Sequence, residues 1–184
     1  MKKAILFTTI LFSICIGANQ TLIAQNTKAI TTLSKEEQKV MDYIDANMPR
    51  AIALLKESVD INSGTLNIEG VKKVGAIFAR EFEKANFKTK WVPMPDSLRR
   101  AGHLVASIGF NADQNAAASS KTKKGKKLFL IGHLDTVFEP DMPANPFTML
   151  NDSTATGQGV TDMKGGDVVM IIALQALQAQ RLLK

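Results

Sequence analysis

The chain has 184 residues, 45% hydrophobic, 22% charged and 6% aromatic, with a formal net charge of +6. That length and apolar content suit one modest domain with a real core, or one lobe of something larger. No compositional bias or period runs through it, which excludes collagen-like, coiled-coil and intrinsically disordered chains.

Lys2 and Lys3 precede an apolar run from Ala4 to Ile16, and small and polar residues follow up to Ala24. A basic start, a short apolar middle and a small residue at a cut point describe a secretory signal peptide over residues 1–24. The run is too short to span a bilayer. Cleavage after Ala24 removes both leading lysines, lowering the net charge to +4, and the single cysteine, Cys15. The mature chain is then expected to be exported, periplasmic or secreted, and free of the membrane. It has neither disulfide nor thiol nucleophile, so catalysis must come from oxygen or nitrogen groups or a metal they hold.

Ser34 and Glu37 form a capping box, and Val40, Met41, Ile44 and Met48 recur behind it at helical spacing. Pro49 is expected to break or restart that helix before Ile52, Leu55 and Val59. Asn62-Ser63-Gly64 is turn chemistry. A further helix is expected from Glu69 to about Ala85, with Val71, Val74, Phe78 and Phe82 on its core face. The period then changes. Phe87–Val92 and His103–Phe110 read as strands, and Leu128–Ile131 as a strand buried on both faces. A last helix from Gly165 to Leu183 is apolar nearly all round at its start. These elements predict an α/β fold around a mainly central sheet. The lysines between 121 and 127 lack interleaved aromatics; they read as a solvated loop, with no nucleic-acid partner.

Two segments carry chemistry. In Gly132-His133-Leu134-Asp135, the strand runs into His133, and Asp135 projects from the same side. A histidine with an orienting carboxylate suits a metal ligand and equally a structural His–Asp pair. In Gly157-Gln158-Gly159-Val160-Thr161-Asp162-Met163-Lys164-Gly165-Gly166, four glycines surround one aspartate before an apolar helix. Asp162 could bridge two cations through its two oxygens. On local grounds alone, a helix-capping aspartate is the stronger reading. Neither the Walker spacing nor the dinucleotide fingerprint is met, so a phosphate loop is disfavoured.

Taken together, His-x-Asp and Gly-x-Gly-x-x-Asp-Met-Lys-Gly-Gly, whose Asp162 lies 27 residues after Asp135, resemble the co-catalytic zinc exopeptidase family. That family includes glutamate carboxypeptidase, aminoacylase, acetylornithine deacetylase and succinyl-diaminopimelate desuccinylase. Asn145-Pro146-Phe147 and the helical region with Asn62-Ser63-Gly64 also look like it, so the resemblance runs from about Val40 to Lys184. It implies a three-layer α/β sandwich with a mixed, mainly parallel central sheet. It also implies His133 as a ligand of one zinc, Asp135 as the catalytic-site carboxylate supporting that histidine, and Asp162 as the bridge between two Zn2+ ions. The bond after the bridging aspartate, here Asp162–Met163, is typically cis in the family. Gln158 stands where many relatives have Arg, at a position that is not a ligand. The implied reaction is hydrolysis of a C-terminal amide by a metal-activated water, on a peptide or N-acyl amino acid substrate.

The family's Glu-Glu pair, general base and metal ligand, follows the bridging aspartate by some tens of residues. This sequence stops 22 positions after Asp162, and Asp167–Lys184 contains neither Glu nor His. His103, at a strand start before the first motif, is not assigned as the distant ligand. The expectation is therefore residues 25–184 as the N-terminal portion of the catalytic domain, truncated, without a dimerisation domain and inactive as an isolated chain. The ligand set is incomplete and the oligomeric state open. The alternative is a non-catalytic exported α/β fragment, alone or paired with a separately encoded remainder.

Overall fold

The computed structural model describes residues 32–109 and 128–183, which lie within one compact unit, Leu33–Lys184, apart from Thr32. The expected signal peptide and lysine-rich loop fall outside the described residues. Among the described residues, three helices carry the core: α1 (Lys35–Val59), α2 (Ile68–Lys84) and α3 (Gly165–Ala179). Four short strands accompany them: β1 (Lys88–Val92), β2 (His103–Ser107), β3 (Thr148–Asn151) and β4 (Thr154–Thr156).

The α1 start is the capping box in full. The Ser34 amide donates to Glu37 Oε2 at 2.7 Å and the Glu37 amide donates to Ser34 Oγ at 3.2 Å. These two bonds satisfy amides that a helix start leaves without partners. Contrary to the sequence expectation, α1 continues through Pro49 for 25 residues. Proline removes one backbone bond, but Ala51, Leu54 and Val59 beyond it are buried in the core. Packing of the second half outweighs the local break. Asn67 starts α2, its Oδ1 accepting from the Gly70 amide at 3.1 Å. Val71, Val74, Ile77 and Phe78 face inward, with Phe82 half-buried.

The core joins Leu54, Val74, Phe78, Ile171 and Ile172, with Leu104 and Leu134 packed against it. One buried polar cluster crosses it. Glu81, 3% exposed, receives Arg50 at 2.8 Å, Lys84 at 2.6 Å and Arg80 at 3.2 Å, while Gln175 Nε2 donates to its carbonyl at 2.8 Å. All three helices are thereby tied at one residue. Helix α3 ends at Ala179, short of the expected Leu183, and buries one face only. Val168, Ile171 and Ile172 are inside, but Val169 is 70% exposed.

The strands form two antiparallel pairs among the described residues, β1 with β2 (Lys88 opposite Ser107) and β3 with β4. Helices with small antiparallel sheets make an α/β chain. The β3–β4 hairpin was not anticipated; its strands are threonine-rich and mostly exposed, without the alternation that marks a half-buried strand. Leu128–Ile131 corrects a further expectation. It forms no ladder, and its side chains are exposed, Phe129 at 84%. An apolar run predicts that a segment can be buried, while burial itself needs neighbouring strands, and neither described sheet reaches this one. No helix among the described residues is long and apolar enough to cross a membrane.

Candidate metal centre

Three loops meet beside the core. The first, residues 62–67, joins α1 to α2. The second, residues 132–139, follows the apolar run. The third, residues 157–164, leads into α3.

Hydrogen bonds stitch the first loop to the second. The Thr136 amide donates to Ser63 O at 2.8 Å and the Thr65 amide to Thr136 O at 3.0 Å, around a parallel bridge between Gly64 and Thr136. Asn62 Nδ2 donates to Phe138 O at 2.9 Å, and the Leu66 amide to Glu139 Oε1 at 3.0 Å. Gly64 is needed for this approach, because a Cβ there would lie 2.6 Å from Phe138 O.

The third loop is an irregular turn, Val160–Lys164, in which Asp162 and Met163 depart from helical angles and the bond between them is cis. Gly159 opens it at φ 83°, a left-handed angle that costs glycine little. Lys164 closes it. Fully buried, its Nζ donates to Ser58 O and Ile61 O, both at 2.9 Å, at the carbonyl-rich end of α1. Desolvation pushes the Lys164 ammonium down to about 8, against a weaker pull from Asp167. Gln158 ties the preceding chain, its Nε2 donating to Pro143 O at 2.9 Å and its amide to Asn145 O at 2.9 Å. The Phe147 amide donates to Asp60 Oδ1 at 3.0 Å. Gln158 thus serves as a buried structural tie.

These restraints bring the predicted residues together. His133 Nε2 lies 3.0 Å from Asp162 Oδ1, and Nδ1 lies 2.9 Å from the Asp135 carbonyl and 3.6 Å from Asp135 Oδ1. Since a carbonyl only accepts, Nδ1 carries the proton in this arrangement. Neutral His133 would then turn the lone pair of Nε2 onto a carboxylate oxygen. Two acceptors at that separation need a positive charge between them, as a proton on Nε2 or as a cation. Burial alone would lower the proton affinity of His133; the Asp135 carbonyl and the Asp162 carboxylate outweigh it and hold the imidazole above its ordinary value. No side-chain cap bond occurs at the start of the turn or of α3, so Asp162 does not act as the helix cap that local reasoning favoured. Its side chain is also 79% exposed.

The donor chemistry fits zinc in kind. Imidazole nitrogen and carboxylate oxygen each bind it at about 2.0–2.2 Å, which sets two ligands of one ion a little over 3 Å apart. Among the described residues no group of three or more potential ligands converges, so the pair is a partial set. His103 instead opens β2, opposite Val92.

Sequence reasoning missed one acidic neighbour. Asp167, in the first turn of α3, is 3% exposed, and its Oδ2 has no hydrogen-bond partner among the described residues. A Cβ on Gly132 would fall 2.3 Å from its Oδ1, so this carboxyl lies directly beneath the residue before His133. Burial pushes it up to about 7, against the pull of His133 and Lys164.

Residues 129–184 match the profile described as peptidase family M20/M25/M40. Carboxypeptidase G2 of Pseudomonas sp. (strain RS-16) is 30% identical over 150 residues, which cover 80% of this chain and 33% of that protein. The chain thus spans about a third of the length of the curated relative it matches.

Proposed function

Residues 129–184 belong to peptidase family M20/M25/M40, and from that premise we propose that the chain is the N-terminal portion of a zinc-dependent exopeptidase hydrolysing C-terminal amide bonds. The observation that carries the reading is the pairing of His133 Nε2 with Asp162 Oδ1 at 3.0 Å, with Nδ1 committed to the Asp135 carbonyl. His133 and Asp162 would hold the ion between them, and the outer oxygen of Asp162, 79% exposed as a side chain, is free to serve a second. A divalent cation bound there supplies Lewis-acid polarisation of a scissile carbonyl and makes water acidic near neutral pH. The residues of this chain set the stage for that chemistry. Asp135 fixes the tautomer of His133; Lys164 and Gln158 hold the turn that presents Asp162; Gly159 and Gly64 allow the loops to meet.

The substrate class we favour, from the resemblance to glutamate carboxypeptidase and aminoacylase, is a glutamate-terminated dipeptide or an N-acyl amino acid; the similarity to a protein named carboxypeptidase G2 supports a carboxypeptidase-type cut. We further propose that the catalytic domain is a three-layer sandwich around a mainly parallel central sheet, and that residues 1–24 direct export. Both rest on sequence pattern and on the family.

A zinc-binding titration of the full chain tests the ligand assignment. Wild type is expected to take up zinc weakly, and His133→Ala and Asp162→Ala to lose that uptake. Unchanged metal content in His133→Ala would overturn the reading. A second, non-catalytic reading is favoured by the two-donor site and by the exposed apolar run 128–131. Hydrolysis of glutamate-terminated dipeptides by this chain with added zinc would exclude it.

A further inference from the structure

The carboxylate of Asp135 has one direct hydrogen bond among the described residues, and it comes from Thr65, 70 residues earlier: Thr65 Oγ1 donates to Asp135 Oδ2 at 2.7 Å. The hydroxyl has a competing acceptor in Thr136 O at 3.2 Å, but that carbonyl already receives the Thr65 amide at 3.0 Å. A hydroxyl has one proton, and the shorter bond to a charged acceptor is the stronger. The proton therefore goes to Asp135. Asp135 is 34% exposed as a side chain, so without that bond its carboxylate is free to turn toward water. With Oδ2 held, Oδ1 stays on the His133 side, 3.6 Å from Nδ1.

We propose that Thr65 is a positioning residue: its hydroxyl pins the Asp135 carboxylate beside His133, where its charge reinforces the Asp135 carbonyl that accepts from Nδ1 and so favours the Nδ1–H form, leaving the Nε2 lone pair for a cation. The loop around it is built for this. Backbone bonds from Ser63 and Thr65 fix Thr136 on both sides, leaving the Thr65 side chain as the element that orients the carboxylate. Partners of this kind, one step removed from a metal-binding histidine, commonly alter metal affinity about 10–100-fold when removed. The zinc arm of the proposal rests on the reading of His133 as a ligand; the tautomer arm does not.

The test compares Thr65→Val, which keeps shape without the hydroxyl, with Thr65→Ser, which restores it. The chain has two histidines, so a His103→Gln background leaves His133 alone in a long-range proton–nitrogen NMR spectrum. With Asp162→Asn added to remove the charged acceptor facing Nε2, metal-free protein at a pH where imidazole is neutral is expected to show the Nδ1–H tautomer with Thr65 and with Thr65→Ser. Thr65→Val should show a mixture with Nε2–H in that background and, with Asp162 intact, about ten-fold weaker zinc binding by chelator competition. A folded Thr65→Val with the wild-type tautomer overturns the proposal, whatever zinc does. A changed tautomer with unchanged zinc uptake supports Thr65 and removes His133 from the metal site instead. Should Thr65→Val fail to give a cooperative melt, Thr65→Ala deletes the same hydroxyl with less bulk and decides on the same spectrum.

Discussion

His133 Nε2 and Asp162 Oδ1 lie 3.0 Å apart, although 29 residues separate them and each comes from a different loop. Lys164 and the glycine-opened turn fix one partner, and the bridge to the 62–67 loop fixes the other. The contact is therefore a product of three anchored segments and survives only while all three hold.

Zinc and a proton compete for this position. The Asp135 carbonyl and Asp162 raise the proton affinity of His133 in spite of its partial burial. Below that raised value the imidazole is protonated and the cation must displace one proton. Apparent zinc affinity is then expected to fall about ten-fold per pH unit on acidification, and to level off above it. Titrations across a pH series check this. In Asp162→Asn the carboxylate that favours the imidazolium is gone, so the protonation of His133 itself, followed by NMR without metal, should move to lower pH.

Asp167 predicts a second pH dependence, in stability. Its folded value of about 7 lies above its ordinary 3.8. Between those limits the folded chain binds more protons than the unfolded one, so stability falls as pH rises through the window and flattens above it. Asp167→Asn removes that slope. The two melting curves should converge in acid and separate above neutrality, the variant being more stable by about 1–2 kcal/mol. The full shift would correspond to more, but the asparagine amide must also find partners. A variant less stable than wild type at alkaline pH would contradict this account.

Much of the site was legible because it depends on residue type and local spacing. Ser34 and Glu37 announced a cap that forms as read, and His133, Asp135 and Asp162 stood out as oxygen and nitrogen donors in glycine-rich or strand-end settings. What remained hidden depends on distance in sequence. Thr65 meets Asp135 across 70 residues, and Lys164 meets Ser58 across 106, with no local pattern to mark either. Leu128–Ile131 fails in the other direction: hydrophobicity records what a strand could bury, and the described chain supplies no sheet against it. Pro49 was misjudged because local propensity was weighed without the packing of Leu54 and Val59.

Gly75 offers a test of packing at the site's far wall. Mid-helix glycine replaced by alanine usually gains about 0.5–1 kcal/mol. Here a Cβ would lie 2.5 Å from the Trp91 ring and 3.2 Å from Leu134, so the helix and β1 must separate. Trp91 is also tethered, its Nε1 donating to Ala101 O at 3.0 Å, and cannot swing freely away. Gly75→Ala is expected to destabilise by about 1–3 kcal/mol in chemical denaturation, the range for overpacking. A neutral or stabilising result would show that the α2–β1 contact is looser than the structure has it.

Glu81 provides the last case, a charge whose burial is compensated. Desolvation raises its proton affinity, but bonds from Lys84, Gln175 and Arg80 prevail and leave it below the usual glutamate range. A carboxylate with a depressed folded value contributes stability above its unfolded value, and that contribution is lost as pH falls through the folded one. Glu81→Gln keeps size and can still accept from Arg50, yet surrenders the charge that three cations share. Because those cations are 36–54% exposed, they retreat into water when the carboxylate goes. The loss should therefore be about 1–2 kcal/mol near neutral pH, short of the 3–5 kcal/mol typical when a buried ion is stranded. Below the glutamate range the difference should vanish, since wild-type Glu81 is then neutral too. Paired urea denaturation curves at neutral and acid pH measure both, and a gap that persists in acid would assign the loss to shape and not to charge.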